Sequence, residues 1–422
     1  MRNSILSFVS RQSPWLVFLP FLVLWLAMAV SMHDNSRLVG DEVRYWGFAE
    51  NLLHGHFHDK NGDRFLWSGP GYSLTLVPFR AINAPLWIPK AMNALYFFLA
   101  AILFFRFLMG YFSRAKSYLI ALLFCCYYPL YAEALPSLMT EALTILLIMG
   151  LLYTIGRLVR HPKPGWKQCL VPAALWAYLV LTKVAFGYVV FLLAGILLVA
   201  WLRNRKHRKL LLLTKTLGLT LVFLLPYLTY TFVLTNRPLY FSNSGGLSLY
   251  WMSSPYAEEL GDWHGPSLKE HPKLMEHHGA FFASIEDLDP VAKDAALKRQ
   301  AIANIKAHPK KFLLNCVSNV GRTFFSYPLS YLQPSNGIYY YLVPNIFLIV
   351  LGGLFLWPTL FRHKNYPTEM LVLLAFMFIY LAELTIVSSY PRFFFLMIPV
   401  LLWWIGYSLD RFVSLKFEQE GS

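Results

Sequence analysis

Apolar residues run through this chain in blocks too long for strands and too continuous for one-sided surface helices, and the blocks recur almost from end to end. Several reach the roughly 20 residues needed to cross about 30 Å of hydrocarbon, among them those following Pro14, Thr140, Val184 and Leu210. The pattern predicts about ten spans, over 14–32, 90–109, 117–132, 138–157, 168–182, 184–202, 211–234, 338–358, 368–388 and 392–409. Two polar intervals separate them, 33–89 and 235–337. In the first, Tyr45, Phe48, Ala49, Leu52 and Leu53 recur at helical spacing and Gly55 supplies a stop. Residues 40–55 therefore read as an amphipathic helix lying apolar face down on the outer membrane surface, with Asp41 at its N-terminal end. A loop over 56–69 leads to the turn signal Gly69-Pro70-Gly71-Tyr72 and an apolar stretch to Phe79 that returns toward the membrane. The second interval reads as irregular loop at first. A helix is expected from about Val291 to Ala307, interrupted at His308-Pro309 and followed by another over 310–325.

The expected fold is thus an all-α polytopic membrane protein, a single membrane domain over 1–422 with two long outer-face loops bearing amphipathic juxtamembrane helices. No internal repeat is visible, which weighs against transporters built from inverted repeats. Composition agrees: 57% of the 422 residues are hydrophobic and 14% charged, and the mean hydropathy is +0.47, outside the soluble range.

The net charge of +15 could suggest nucleic acid, but the basic residues sit in short loops between apolar runs. Arg106, Arg114 and Lys116 occupy one loop, Arg157, Arg160, Lys163 and Lys167 another, Arg203, Arg205, Lys206, Arg208, Lys209 and Lys215 a third, and Arg362 and Lys364 a fourth. Placing these loops in the cytoplasm puts both ends of the chain inside and the two long polar intervals, with most of the acids, outside. No nucleic-acid partner is expected. The first apolar run, preceded by Arg2 and Arg11 and lacking a small-residue cleavage site, reads as an uncleaved helix. Cys125, Cys126, Cys169 and Cys316 lie in or beside apolar runs without metal spacing, suggesting neither disulfides nor zinc.

Candidate chemistry gathers at the outer face. Asp41 and Glu42 are adjacent carboxylates just outside the first span, where charge near lipid calls for solvation, pairing or function. Spacing leaves two compatible readings of Asp41, helix cap and general base. Glu141 opens the fourth span facing the same side, fit for acceptor positioning or as a second acid, whereas Glu133 reads as a snorkelling or capping residue. Glu383 is expected to pair with a cation inside the bundle. Lys183, Arg392, Lys90 and Arg322 map to the outer surface against the positive-inside trend, where snorkelling and phosphate binding both remain open. His264, His271, His277, His278 and His308 lack a helical i, i+4 pair with a placed carboxylate, and His54, His56 and His58 follow a helix stop. No metal is expected from either group, and no ligand motif supports a divalent cation. Trp67, Tyr72, Tyr250, Trp251 and Tyr339-Tyr340-Tyr341 fit an interfacial belt first, with sugar stacking second.

Several short motifs occur in order. They are Asp41-Glu42-Val43-Arg44-Tyr45 with its helix, Pro70-Gly71-Tyr72, Lys90 with Asn93, Thr140-Glu141, Leu181-Thr182-Lys183, His308-Pro309 and Arg392-Phe393. In that order the chain resembles the membrane glycosyltransferases of the C superfamily, in the branch of protein O-mannosyltransferases and lipid A aminoarabinose transferases. The resemblance spans most of the chain. It implies inverting transfer of a sugar from a polyprenyl-phosphate donor to an acceptor hydroxyl of a glycan, lipid or protein, without nucleotide or required cofactor. Asp41, Glu42 and Glu141 would be the catalytic acids, Lys183, Arg392, Lys90 and Arg322 the grip on the donor phosphate, and Arg44, Tyr45 and Tyr72 substrate contacts. It also implies a bacterial inner membrane, with the site facing the periplasm or cell exterior. Val184 follows Lys183 where relatives often carry proline, and no soluble domain follows the last expected span, which leaves acceptor recognition to the outer loops. A lipid-linked glycan flippase is the rival from another class, and it calls for charges deep in mid-span; here the charges crowd the outer ends. A glycan polymerase or ligase would share the outer site.

Overall fold

The computed structural model describes residues 11–32, 37–57, 64–265, 268 and 271–413, and among them the chain is helix and loop without strands. The expectations for Arg2 and His58 lie outside the described residues. The helices are α1 (Pro14–Ser31), α2 (Asp41–Leu53), α3 (Pro70–Ala81), α4 (Trp87–Leu108), α5 (Arg114–Cys125), α6 (Tyr128–Ala134), α7 (Glu141–Arg160), α8 (Lys167–Thr182) and α9 (Phe186–Arg203). There follow α10 (Arg208–Thr235), α11 (Gly245–Met252), α12 (Pro272–Ser284), α13 (Pro290–Ala307), α14 (Pro309–Phe325), α15 (Gly337–Phe361), α16 (Thr368–Ile386), α17 (Pro391–Phe395) and α18 (Ile398–Phe412).

Among the described residues, seven helices are long and apolar enough to cross a membrane: α1, α4, α7, α9, α10, α15 and α16. The expected third span is α5 and α6, bent by 47° after Cys125. Pro129 sits in the first turn of α6, where its missing N–H costs a continuing helix a bond but a new one nothing. Of the remaining two expected spans, α8 keeps its expected bounds to within a residue and α18 is shorter than foreseen. α8 has 16 residues and α18 has 15, about 24 and 22 Å at about 1.5 Å per residue, less than the roughly 30 Å of hydrocarbon.

One continuous core runs through the bundle. α4 packs against α1 and α7, and α8 against α7 and α10; rings such as Trp25 stacked on Tyr131 and Phe107 edge-on to Trp403 fill the seams. The outer segments build a second layer. Where loop is expected after 235, the chain forms α11 and α12, whose Leu247, Tyr250, Trp251 and Leu274 share a separate core with Ala296 and Leu297 of α13. The expected pair of helices around His308-Pro309 is present as α13 and α14.

The surface helix 40–55 is also corrected. It is present as α2, but its apolar face does not lie on lipid: Tyr45, Phe48 and Ala49 are buried against protein, with Tyr45 edge-on to Tyr72 of α3 at 5.1 Å. The stretch after Gly69 is itself helical and covers that face. It is α14 that turns apolar side chains outward. Leu313, Leu314 and Val317 are 64, 64 and 69% exposed, while Asn315, Asn319 and Arg322 point into the protein. A face of that kind on an outer helix is suited to the lipid headgroup boundary.

Candidate active site

Two segments distant in sequence meet at one end of the bundle because two glycines remove the side chains that would hold them apart. A Cβ on Gly69 would lie 2.1 Å from the Leu181 carbonyl oxygen, and one on Gly71 would lie 2.5 Å from the Thr182 nitrogen. The Gly69-Pro70-Gly71-Tyr72 entry to α3 is therefore seated on the Leu181-Thr182-Lys183 break at the end of α8, and the Tyr178 hydroxyl donates to the Gly71 carbonyl at 2.9 Å. α8 stops there, leaving Lys183 extended and its ammonium directed at the start of α7.

The cavity so formed measures about 370 Å³. Asp41, Arg44 and Tyr45 of α2 line one side, Thr140 and Glu141 the start of α7, Lys183 the break, and Tyr390, Arg392 and Phe393 the turn into α17. The Asp41 carboxylate, 31% exposed, receives the Arg44 guanidinium at 2.7 Å on one oxygen and faces that of Arg392 at 3.4 Å on the other. Arg44 also donates from Nε to Ser68 Oγ at 3.1 Å and lies against the Trp67 ring. Lys183 Nζ donates to Glu141 at 3.0 Å, a pair with side chains 12 and 4% exposed. Lys183 and Arg392 flank one aromatic platform, their cationic centres 4.5 and 5.2 Å from the Phe393 centroid. Burial, followed by the charges of Asp41 and Glu141, pushes the Tyr45 hydroxyl up to about 12, so it remains a neutral donor.

Of the residues singled out by sequence, Asp41, Arg44, Tyr45, Glu141, Lys183 and Arg392 line this cavity. Four others lie elsewhere, each with a physical reason. Glu42 turns away from it and is buried: its carboxylate accepts from the backbone N–H of Val39 at 2.9 Å and of Leu138 at 2.7 Å. Lys90, expected to grip phosphate, is 1% exposed and stands 3.7 Å from Glu42 as its counter-ion. Arg322 is likewise 1% exposed and its donors are taken by Asn319 Oδ1 and by the carbonyls of Leu260 and Pro328. Tyr72 is packed beneath Tyr45 and fills core.

Two further expectations concern acids nearby. Glu133 accepts from the Tyr341 hydroxyl at 2.6 Å, a local structural bond. Glu383 does not have the cation expected of it: it forms no ion pair among the described residues, and Oε2 has no hydrogen-bond partner where the side chain borders the cavity. Arg392, the cation on the same wall, is turned to Asp41.

No protein-family model and no curated protein matches the chain. Among solved structures the chain is similar to the crystal structure of ArnT from Cupriavidus metallidurans bound to undecaprenyl phosphate. The match is 16% identical, covers 93% of this chain and 77% of that chain, and has a TM-score of 0.42.

Ser244, Ser248 and Trp263, to which the sequence assigns no role, also line the cavity, as does Trp67, expected first in an interfacial belt and second in sugar stacking. Isolated tryptophans and serines in polar segments carry no spacing signal, so only the folded chain brings them to the cavity. A second cavity of about 510 Å³ lies under α12 and α13, and Trp67 borders both.

Proposed function

We propose that the chain is an inverting glycosyltransferase that moves a sugar from a polyprenyl-phosphate donor to an acceptor hydroxyl at the outer membrane face. The observation that carries this reading is the convergence of a solvent-reached carboxylate, Asp41, with Arg44, Lys183 and Arg392 in one cavity bordered by the helix ends of the bundle. A lipid-borne phosphate arriving from the membrane meets Lys183 and Arg392 beside Phe393, two cations spaced around one ring with N–H donors suited to phosphate oxygens.

In the reaction, Asp41 accepts the acceptor O–H proton as that oxygen forms its bond to the anomeric carbon. The bond from the anomeric carbon to the phosphate oxygen breaks, its electron pair leaves with the phosphate, and configuration inverts. Charge that gathers on the leaving phosphate is met by Lys183 and Arg392, fixed in place by Glu141 and the Phe393 ring. Arg392 stands between Asp41 and the phosphate position, so donor binding draws it off Asp41 and frees that carboxylate oxygen for the acceptor. Tyr45 and Arg44 orient the sugar.

The deciding measurement is transfer by purified Asp41→Asn protein supplied with polyprenyl-phosphate sugar. Turnover is expected to fall about 10²–10⁴-fold, the usual worth of a positioned general base, with thermal stability unchanged. Full turnover in this variant removes Asp41 from the base role. The lipid-linked sugar that accumulates on deletion of the protein would name the donor.

A further inference from the structure

Glu259, His277 and His278 are spread over 20 residues of the outer segment but meet at one point in the fold. The ligand-capable atoms of the three side chains lie within 4.8 Å of one another. Glu259 is 2% exposed; one carboxylate oxygen faces His277 Nδ1 and the other His278 Nε2, both at 2.8 Å. The two histidines are neighbours on α12, where successive side chains diverge by about 100°, and they reach the same carboxylate because one uses its near nitrogen and the other its far one.

Every ring in the group is held from outside. His277 is stacked on Tyr256 at 3.7 Å and 9°, and His278 lies edge-on to Trp251 at 4.8 Å. His278 Nδ1 is hydrogen-bonded to the Tyr250 hydroxyl at 2.8 Å, the kind of outer contact that sets a ligand's tautomer and orientation. The Tyr331 hydroxyl at 2.8 Å and Ser254 Oγ also reach the carboxylate. The bonds from His278, Ser254 and His277 offset the cost of burying this carboxylate. No lysine or arginine pairs with this carboxylate among the described residues; the nearby Lys311 ammonium is taken by the Glu259 and Ala257 carbonyls and Asn315 Oδ1.

We infer that Glu259, His277 and His278 form a binding site for a divalent transition-metal ion of zinc type. Two imidazole nitrogens and one carboxylate oxygen suit zinc and its neighbours rather than magnesium or calcium, which prefer sets made of oxygen alone. The spread of the donor atoms is one that bonds of about 2.0–2.2 Å to a single ion span after small side-chain rotations. Binding shifts the proton of each neutral imidazole to its other nitrogen, to Nε2 in His277 and, in His278, to Nδ1, where it is donated to the Tyr250 oxygen. The nitrogen now facing Glu259 then presents a lone pair to the ion, and Tyr331 or Ser254 stands beside the fourth position. The site lies away from the Asp41 cavity and its role is structural: it joins α12 to the 254–259 loop after α11, whose Gly245 and Ser248 form part of the cavity wall.

The test uses the full-length protein in detergent, stripped with chelator and titrated with Zn²⁺ alone, then with Co²⁺ as a coloured stand-in. One equivalent per chain is expected, with visible Co²⁺ absorption of a low-coordinate site and a rise in thermal midpoint on metal addition. Glu259→Gln and His278→Gln are each expected to weaken Zn²⁺ binding at least tenfold. His277→Gln, at the more exposed position, does the same in a chain whose metal-free circular dichroism matches the parent. Absence of stoichiometric binding overturns the site, as does binding that His277→Gln leaves unchanged. Equal destabilisation of the variants with and without Zn²⁺, and no metal shift in the parent, would mean that the group is a hydrogen-bonded knot only.

Discussion

Asp41 presents its carboxylate to the cavity between Arg44 and Arg392, whereas Glu42 turns inward to cap two backbone N–H groups and neutralise Lys90. Their substitutions are therefore expected to fail differently. Glu42→Ala leaves Lys90 buried without its counter-ion, a loss of about 3–5 kcal/mol for breaking a buried pair, visible as a lowered thermal midpoint. Asp41→Asn changes turnover and not the midpoint. If Glu42→Ala melts like the parent, the buried network is not what holds α2 to Lys90 of α4 and the loop at Leu138. Lys183 combines both roles. Lys183→Ala should weaken donor binding and also destabilise, because Glu141 loses its partner. Adding Glu141→Gln should restore the midpoint while donor affinity stays low, measured by binding of the polyprenyl-phosphate donor. Recovery of affinity in the double variant would rule out a phosphate contact by Lys183. Arg392→Lys keeps the charge but loses the planar fork, and a several-fold rise in donor KM is expected.

Among elements, the seat of α3 on the end of α8 decides whether the cavity exists. Gly71→Ala would push a Cβ to 2.5 Å from the Thr182 backbone nitrogen, and backbone cannot swing aside as a side chain can. Overpacking of this kind costs about 1–3 kcal/mol, and the displaced break carries Lys183 with it. Stability and donor affinity should fall together, while Gly195→Ala, with open space around it, serves as the neutral comparison. An unchanged midpoint for Gly71→Ala would mean that α3 is not seated this closely. The sequence marks Gly69-Pro70-Gly71-Tyr72 as a turn through its composition. What it does not reveal is that the turn opens a helix and that the glycines are there for the backbone of α8. The same holds for α2, whose apolar stripe is plain in the sequence; the stripe does not say whether lipid or α3 covers it.

At the scale of the whole molecule, the basic loops and the two acidic outer segments imply that the Asp41 cavity opens outward. In a background with the native cysteines replaced, Glu286→Cys should label with a membrane-impermeant thiol reagent in intact cells. Arg205→Cys, in a basic loop, should label only after permeabilisation. The reverse result would turn the chain over and place the candidate site in the cytoplasm. The outward apolar face of α14 suits a membrane surface on whichever side the labelling places it.

Helical class and the position of most spans are local properties, carried by runs of apolar residues, so the sequence alone determined them. It also singled out Asp41, Lys183 and Arg392 because charge at a membrane boundary demands a reason wherever it occurs. Partner choice was decided only by the tertiary structure. Whether a cation meets phosphate or a buried carboxylate depends on what the fold brings within 3–4 Å. By that test Lys90 belongs to Glu42, Arg322 to the carbonyls around it, Glu383 to no cation among the described residues, and Glu259 to two histidines whose spacing along the chain gave no sign of a common centre.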